Sequence, residues 1–174
     1  MKSMLKWNKT RREEFIRVIK RDSYKQPKFG VSCIFVKLNK VVGVKVYATA
    51  RERNRCHKVQ TLAATHGAAP AVGDAFEFEC CMLDHFVDDE KLGYRAEITY
   101  RKVFCYLTQV AELHRGKTPS IKNILALEYK LYKAGLVHDD LHRGNIGYVN
   151  NKMVCIDFDF CSCSFIKGRK PNAF

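Results

Sequence analysis

The stretch from Val31 to Tyr47 constrains the fold more than any other. Two segments rich in β-branched residues, Val31–Leu38 and Val41–Tyr47, are separated only by Asn39-Lys40, and a two-residue polar break between such segments predicts an antiparallel hairpin. A lone hairpin is marginal in water, so it must join further strands and bury one face under a helix. The chain supplies both. Ala75–Leu83 and Tyr94–Val103 alternate partly between apolar and polar residues and read as two more strands, with the acidic stretch His85–Gly93 between them. Thr10–Lys20 places Phe15, Ile16, Val18 and Ile19 among charges behind Thr10 as a cap, which predicts an amphipathic helix. Ala48–Ala64 reads as a second helix, broken by His66–Gly73 with its Pro70. Phe104–Arg115 and Ser120–Ala134 read as two more, the last opened by Pro119-Ser120 and stopped by Gly135. Leu136–Phe165 is short strand and turn material. The fold class expected is α+β. Near Arg101–Phe104 a strand-rich half gives way to a helical half, which predicts one domain of two lobes, about 1–101 and 102–174, with a cleft between them.

Composition narrows the setting. With 174 residues, 47% hydrophobic and 11% aromatic, the chain can bury on the order of 70% of its unfolded surface, and disorder is excluded. No apolar run approaches the roughly 20 residues of a membrane-spanning helix, and Met1–Arg21 is basic without the apolar core of a secretory signal. Eight cysteines without regular spacing predict reduced thiols in an intracellular protein. Among them Cys80, Cys81, Cys161 and Cys163 lack the C-x-x-C spacing of zinc knuckles. Thirty-one Lys and Arg against 18 Asp and Glu give a net charge of +13. That excess suits an acidic protein, a nucleic acid, a nucleotide or an anionic membrane face. The basic residues are scattered, and no helix-turn-helix, RNP-like or zinc-finger pattern gathers them.

The chemistry lies in the segment His138-Asp139-Asp140-Leu141-His142-Arg143-Gly144-Asn145, followed by Val154-Cys155-Ile156-Asp157-Phe158-Asp159. It has the form H-x-D-L-x-x-x-N, then an apolar strand ending in D-F, with Asn145 five residues after Asp140 and Asp157 twelve after Asn145. Phosphoryl transfer needs a carboxylate to orient the acceptor hydroxyl and a divalent metal to neutralise the phosphate oxygens. Asp140 suits the first task, and Asn145 with Asp157 offers hard oxygen ligands for the second. Upstream, Val42-Gly43-Val44-Lys45 on the second hairpin strand sets a lysine among apolar neighbours and resembles the V-A-I-K motif that presents a lysine to nucleotide phosphates.

These motifs resemble those of the protein-kinase-like superfamily. The D-L-H-x-G-N and I-D-F-D wording is also similar to aminoglycoside phosphotransferases and related bacterial or phage kinases. The resemblance implies a bilobal fold, a small antiparallel-sheet lobe and a mostly helical lobe, binding ATP with Mg2+, or Mn2+ in its place. It implies that Lys45 holds phosphates, Asp140 orients the acceptor, and Asn145 and Asp157 hold metal. His142 stands where a lysine is common and could donate to a phosphate oxygen, and Asp159, where glycine is usual, could add a second carboxylate to the metal. Glu52 is the candidate ion-pair partner of Lys45 on the following helix, and Glu97–Tyr100 the candidate segment beside the base.

Departures from the pattern are equally specific. Gly30 stands alone where G-x-G-x-x-G is usual, so the phosphate-covering loop is differently built. Asp139 replaces the arginine that would receive a phosphorylated activation loop. Fifteen residues follow Asp159, too few for an activation segment and a helical substrate lobe. The chain therefore resembles the minimal kinases that some bacterial pathogens deliver into host cells, and a partner protein could supply what is missing. The leading expectation is a minimal Ser/Thr protein kinase. Its rivals are a pseudokinase-type module whose basic surface binds an acidic protein or nucleic acid, and a small-molecule kinase.

Overall fold

In the computed structural model, residues 2–22, 33–88, 93–113, 119–159 and 163–166 are described, with 2–3, 20–22 and 80–101 as backbone only. The expected hairpin is present. Strand β1 (Ile34–Lys37) pairs antiparallel with β2 (Val42–Tyr47), Ile34 opposite Val46 and Lys37 opposite Gly43. Asn39 makes the turn, its Oδ1 accepting the N–H groups of Val41 and Val42 at 2.9 and 3.0 Å. Two long strands, β3 (Val72–Asp88) and β4 (Gly93–Gln109), complete a four-stranded antiparallel sheet in the order β1-β2-β4-β3.

The helix expected over Phe104–Arg115 is not formed over its described residues, 104–113. Residues up to Gln109 belong to β4, where Phe104–Gln109 pair with Tyr47–Val42 of β2. The reason is visible in the burial: Cys105, Tyr106, Leu107 and Thr108 are all buried, so both faces of the strand are covered and the alternation that marks a half-exposed strand is lost. Nor do Arg101–Phe104 form a break, since they lie inside β4 opposite Cys80–Glu77.

One face of the sheet presents Val42, Val44, Val46, Val103, Cys105 and Leu107 to a core shared with Leu5, Phe15 and Phe76. Helix α1 (Lys9–Asp22) covers that face, and Trp7 stacks on Phe76 at 3.5 Å between centroids. Its N-terminus is capped by Asn8, whose Oδ1 accepts the Arg11 N–H at 2.9 Å, rather than by Thr10. The opposite face carries Lys45, Tyr47, Tyr106 and Thr108 toward α2 (Ala50–Thr65), the connection from β2 to β3.

A second core joins Val59, Leu62 and Ala63 of α2 to Leu127 and Leu131 of α3 (Ile121–Lys133) and to Leu136, Ile146, Cys155 and Phe158. As expected, Ser120 caps α3 and Gly135, at φ +78, turns the chain out of it. From there β6 (Leu136–His138) pairs with β9 (Cys163–Phe165), and β7 (Ile146–Val149) with β8 (Lys152–Cys155) around a turn at Asn150 and Asn151, φ 49 and 61. The short β5 (Glu112–Leu113) joins β7. The result is a mixed α+β structure in which α2 contributes to the packing on both sides. Among the described residues no helix is long and apolar enough to cross a membrane.

Candidate functional site

The loop after β6 folds back on itself through its own polar groups. The carbonyl of Asp140 accepts the His142 N–H at 3.0 Å and Asn145 Nδ2 at 2.9 Å, and the His142 carbonyl accepts the Asn145 N–H at 2.9 Å. Asn145 Nδ2 also reaches Asp140 Oδ2 at 3.2 Å. His142 Nδ1 accepts the Gly144 N–H at 2.9 Å, which leaves the proton on Nε2, 3.4 Å from Asp140 Oδ2. His142 thus steadies the Asp140 carboxylate from the side. Both side chains are 58% exposed, and Asp140 Oδ1 has no hydrogen-bond partner among the described residues.

His138 joins this loop to the segment after β8 that carries Asp157. Its Nδ1 accepts the Asp140 N–H at 3.3 Å, so its Nε2 donates, to the Asp157 carbonyl at 2.8 Å. A backbone bond from the Ile156 N–H to the Asn145 carbonyl, 3.0 Å, closes the connection. Asp157 Oδ1 accepts the Asp159 N–H at 3.3 Å, and the Asp159 carbonyl accepts from Arg55 of α2 at 3.0 Å. His138 is thus a bridging residue of the site, and its spacing two residues before Asp140 is the signal the sequence carries for it.

Lys45 reaches the same segment, just past the end of β8, from the sheet. Its Nζ donates to the Ile156 carbonyl at 2.8 Å and lies 5.7 Å from the centre of the Phe158 ring. The residue is only 6% exposed. Burial works against its charge, but Tyr106, Cys33, Asp157 and Cys155 around it favour the ammonium and raise its pKa above the ordinary lysine value.

Glu52 is not the partner of Lys45. It sits in the first turn of α2, where its N–H donates to Thr49 Oγ1 at 3.2 Å and its carboxylate accepts from that hydroxyl at 2.8 Å, as an acidic residue near a helix N-terminus does. Glu97–Tyr100 do not form a linker, because they lie within β4 opposite Asp84–Cys81. The chain leaves the sheet only after Gln109, and Gly147 there is crowded: a Cβ on it would fall 2.9 Å from Ala111 Cβ and 3.0 Å from Ile156 Cγ2. Gly30 lies outside the described residues.

The structure therefore gathers Lys45, Asp140, His142, Asn145, Asp157 and Asp159 through one web of bonds and leaves Glu52 outside it. Among the described residues no three His, Cys, Asp or Glu side chains converge as a metal cage. Magnesium asks for less, one or two protein oxygens beside phosphates and water. Asn145 Oδ1 and Asp157 Oδ2 are hard oxygen atoms without a hydrogen-bond partner among the described residues, and they fit that demand.

No family model matches this chain. A search of curated proteins likewise finds no match. The functional reading accordingly rests on the residues themselves.

Proposed function

We propose that this protein is an ATP- and Mg2+-dependent phosphotransferase acting on Ser or Thr of a protein. The observation that supports it most is the joining of Asp140, Asn145 and Asp157 through His138 and the Ile156 backbone, with Lys45 bonded to that same Ile156. Phosphoryl transfer is catalysed mainly by positioning and by neutralising charge. Asp140 Oδ1 is the atom that accepts a hydrogen bond from the acceptor hydroxyl, and His142 and Asn145 fix the carboxylate that carries it. Asn145 and Asp157 would hold the metal, which supplies neutralisation of the phosphate oxygens. Lys45 keeps two further N–H donors beyond its bond to Ile156, and these are available to phosphate.

A second reading, a binding module on the same scaffold, draws support from two features: Lys45 is satisfied by main chain, and α2 brings it no carboxylate. The two are separated by transfer of labelled γ-phosphate from ATP with Mg2+ or Mn2+, to the protein itself and to a cell extract. Transfer that vanishes in Asp140→Asn and Asp157→Ala supports the enzyme. A folded protein without transfer, binding an acidic partner with steep salt dependence, supports the module.

A further inference from the structure

Lys45 is buried beside a continuous chain of neutral hydrogen bonds. It stands directly opposite Tyr106 in the β2–β4 ladder, so the two side chains share a face of the sheet. Tyr106, fully buried, donates its hydroxyl to Gln60 Oε1 on α2 at 2.8 Å. Gln60, also fully buried, donates through Nε2 to Thr108 Oγ1 at 2.8 Å and to the Pro70 carbonyl at 3.2 Å. On the other side the Tyr106 hydroxyl meets that of Tyr47 at 3.2 Å, the two rings stacked with centroids 5.7 Å apart.

Such a chain is costly unless every member is satisfied, and here each one is. A fully satisfied buried chain holds its members at fixed separations. What it fixes is the distance between α2 and the strand pair that presents Lys45, since Gln60 is the one α2 side chain hydrogen-bonded to both Tyr106 and Thr108. Glu52, the acidic residue in the first turn, is committed to its cap.

We propose that Gln60, Tyr106 and Tyr47 are positioning residues for Lys45, holding α2 and the lysine in place by neutral hydrogen bonds where a helix carboxylate would do so by an ion pair. The lysine side chain then keeps one arrangement whether or not nucleotide is present, and α2 is locked rather than switchable. Only the consequence for nucleotide binding rests on the phosphotransferase reading; the positioning of Lys45 does not.

The test uses the full chain labelled with 15N, carrying Tyr106→Phe or Gln60→Met, each close in volume to the residue replaced. A buried, hydrogen-bonded ammonium gives a slowly exchanging Nζ–H signal, identified as Lys45 by its loss in Lys45→Met. The expected result is a signal in the native protein that broadens or disappears in both variants while their folds persist, with faster amide exchange over Cys56–Ala63 and at least a tenfold weaker Kd for MgATP. Should Tyr106→Phe fail to fold, Tyr47→Phe, which trims only the outer hydroxyl, carries the same test. An unchanged Lys45 signal and unchanged α2 exchange in folded variants would overturn the proposal. A Lys45 signal that responds in a protein that neither binds nor turns over ATP would leave the positioning intact and remove the phosphotransferase reading.

Discussion

Lys45 and Asp140 belong to one candidate site yet stand at opposite extremes of solvent contact. Lys45 is 6% exposed, lodged between two strands, α2 and the Phe158 ring. The Asp140 side chain is 58% exposed on a loop whose hydrogen bonds are mostly to its own members. The difference teaches how the two ends respond to change. A residue held by a core couples function to folding, whereas a loop carried on a rigid scaffold can be altered chemically while the scaffold stands.

The largest expected effect lies at the open end. Asp140→Asn should lower phosphate transfer by about 10²–10⁴-fold, the usual range for an acid–base group. Its thermal midpoint should stay within roughly 2 °C of the parent, as for other exposed substitutions. Kinetics paired with a melting curve check both halves. A large fall in midpoint would break the contrast, because it would make the loop part of the folding core.

At the closed end the same two measurements should move together or apart according to volume. Lys45→Ala should lose transfer and also about 2–4 kcal/mol of stability, because it leaves a cavity in a packed interior. Lys45→Met fills that space; the hydrogen bond it forfeits and the buried charge it removes offset each other, so stability should change by about 1 kcal/mol or less. Urea unfolding of both variants decides the matter, and equal losses would show that charge rather than packing dominates at Lys45.

The two ends also differed in how far the sequence revealed them. The Asp140 loop was legible because its chemistry is contiguous: His138, Asp140, His142 and Asn145 contact one another within eight residues. The first hairpin, α2 and α3 were legible from periodicity and from Ser120 and Gly135. The surroundings of Lys45 were not. Gln60 and Tyr106 are 46 residues apart and Tyr47 and Tyr106 are 59 apart, and no local pattern announces a partner at that range. The end of β4 was misread for a related reason, since a strand covered on both faces carries apolar residues in succession, as a buried helix does. Glu52 is a candidate only as the one acidic residue of α2, and its spacing three residues after Thr49 is the better guide to its role.

A smaller effect sharpens the contrast between rigid and yielding surroundings. Gly147→Ala puts a methyl 2.9 Å from Ala111 Cβ, 3.0 Å from Ile156 Cγ2 and 3.2 Å from the Glu112 carbonyl. Backbone and short side chains cannot swing away, so a loss of about 1–3 kcal/mol is expected. Gly144→Ala meets only the His142 ring, at 2.7 Å, and that exposed ring can rotate. Stability should then change by about 0.5 kcal/mol or less, while transfer falls as Asp140 loses its neighbour. Comparable losses of stability in the two variants would show the loop to be as tightly packed as the surroundings of Gly147.

The smallest effect concerns the thiols behind Lys45 and Asp157. Burial pushes the Cys155 thiol up, and it pushes Cys163 up to about 12 even though Arg55 pulls the other way. In the unfolded chain both would lose their protons near the ordinary thiol value of about 8.5. Between that value and the folded-state value the unfolded chain binds fewer protons than the native one, so stability must fall as pH rises. Below about pH 8 the contribution is fully present, and it is lost progressively above. Melting curves from pH 7.5 to 10 should show a falling midpoint, and Cys155→Ala with Cys163→Ala should flatten that slope while lowering the midpoint at pH 7.5 through lost packing. An unchanged slope would mean that these thiols open to water before the rest of the core, and Lys45, bonded to the residue between Cys155 and Asp157, would then rest on a strand less firmly closed than its burial implies.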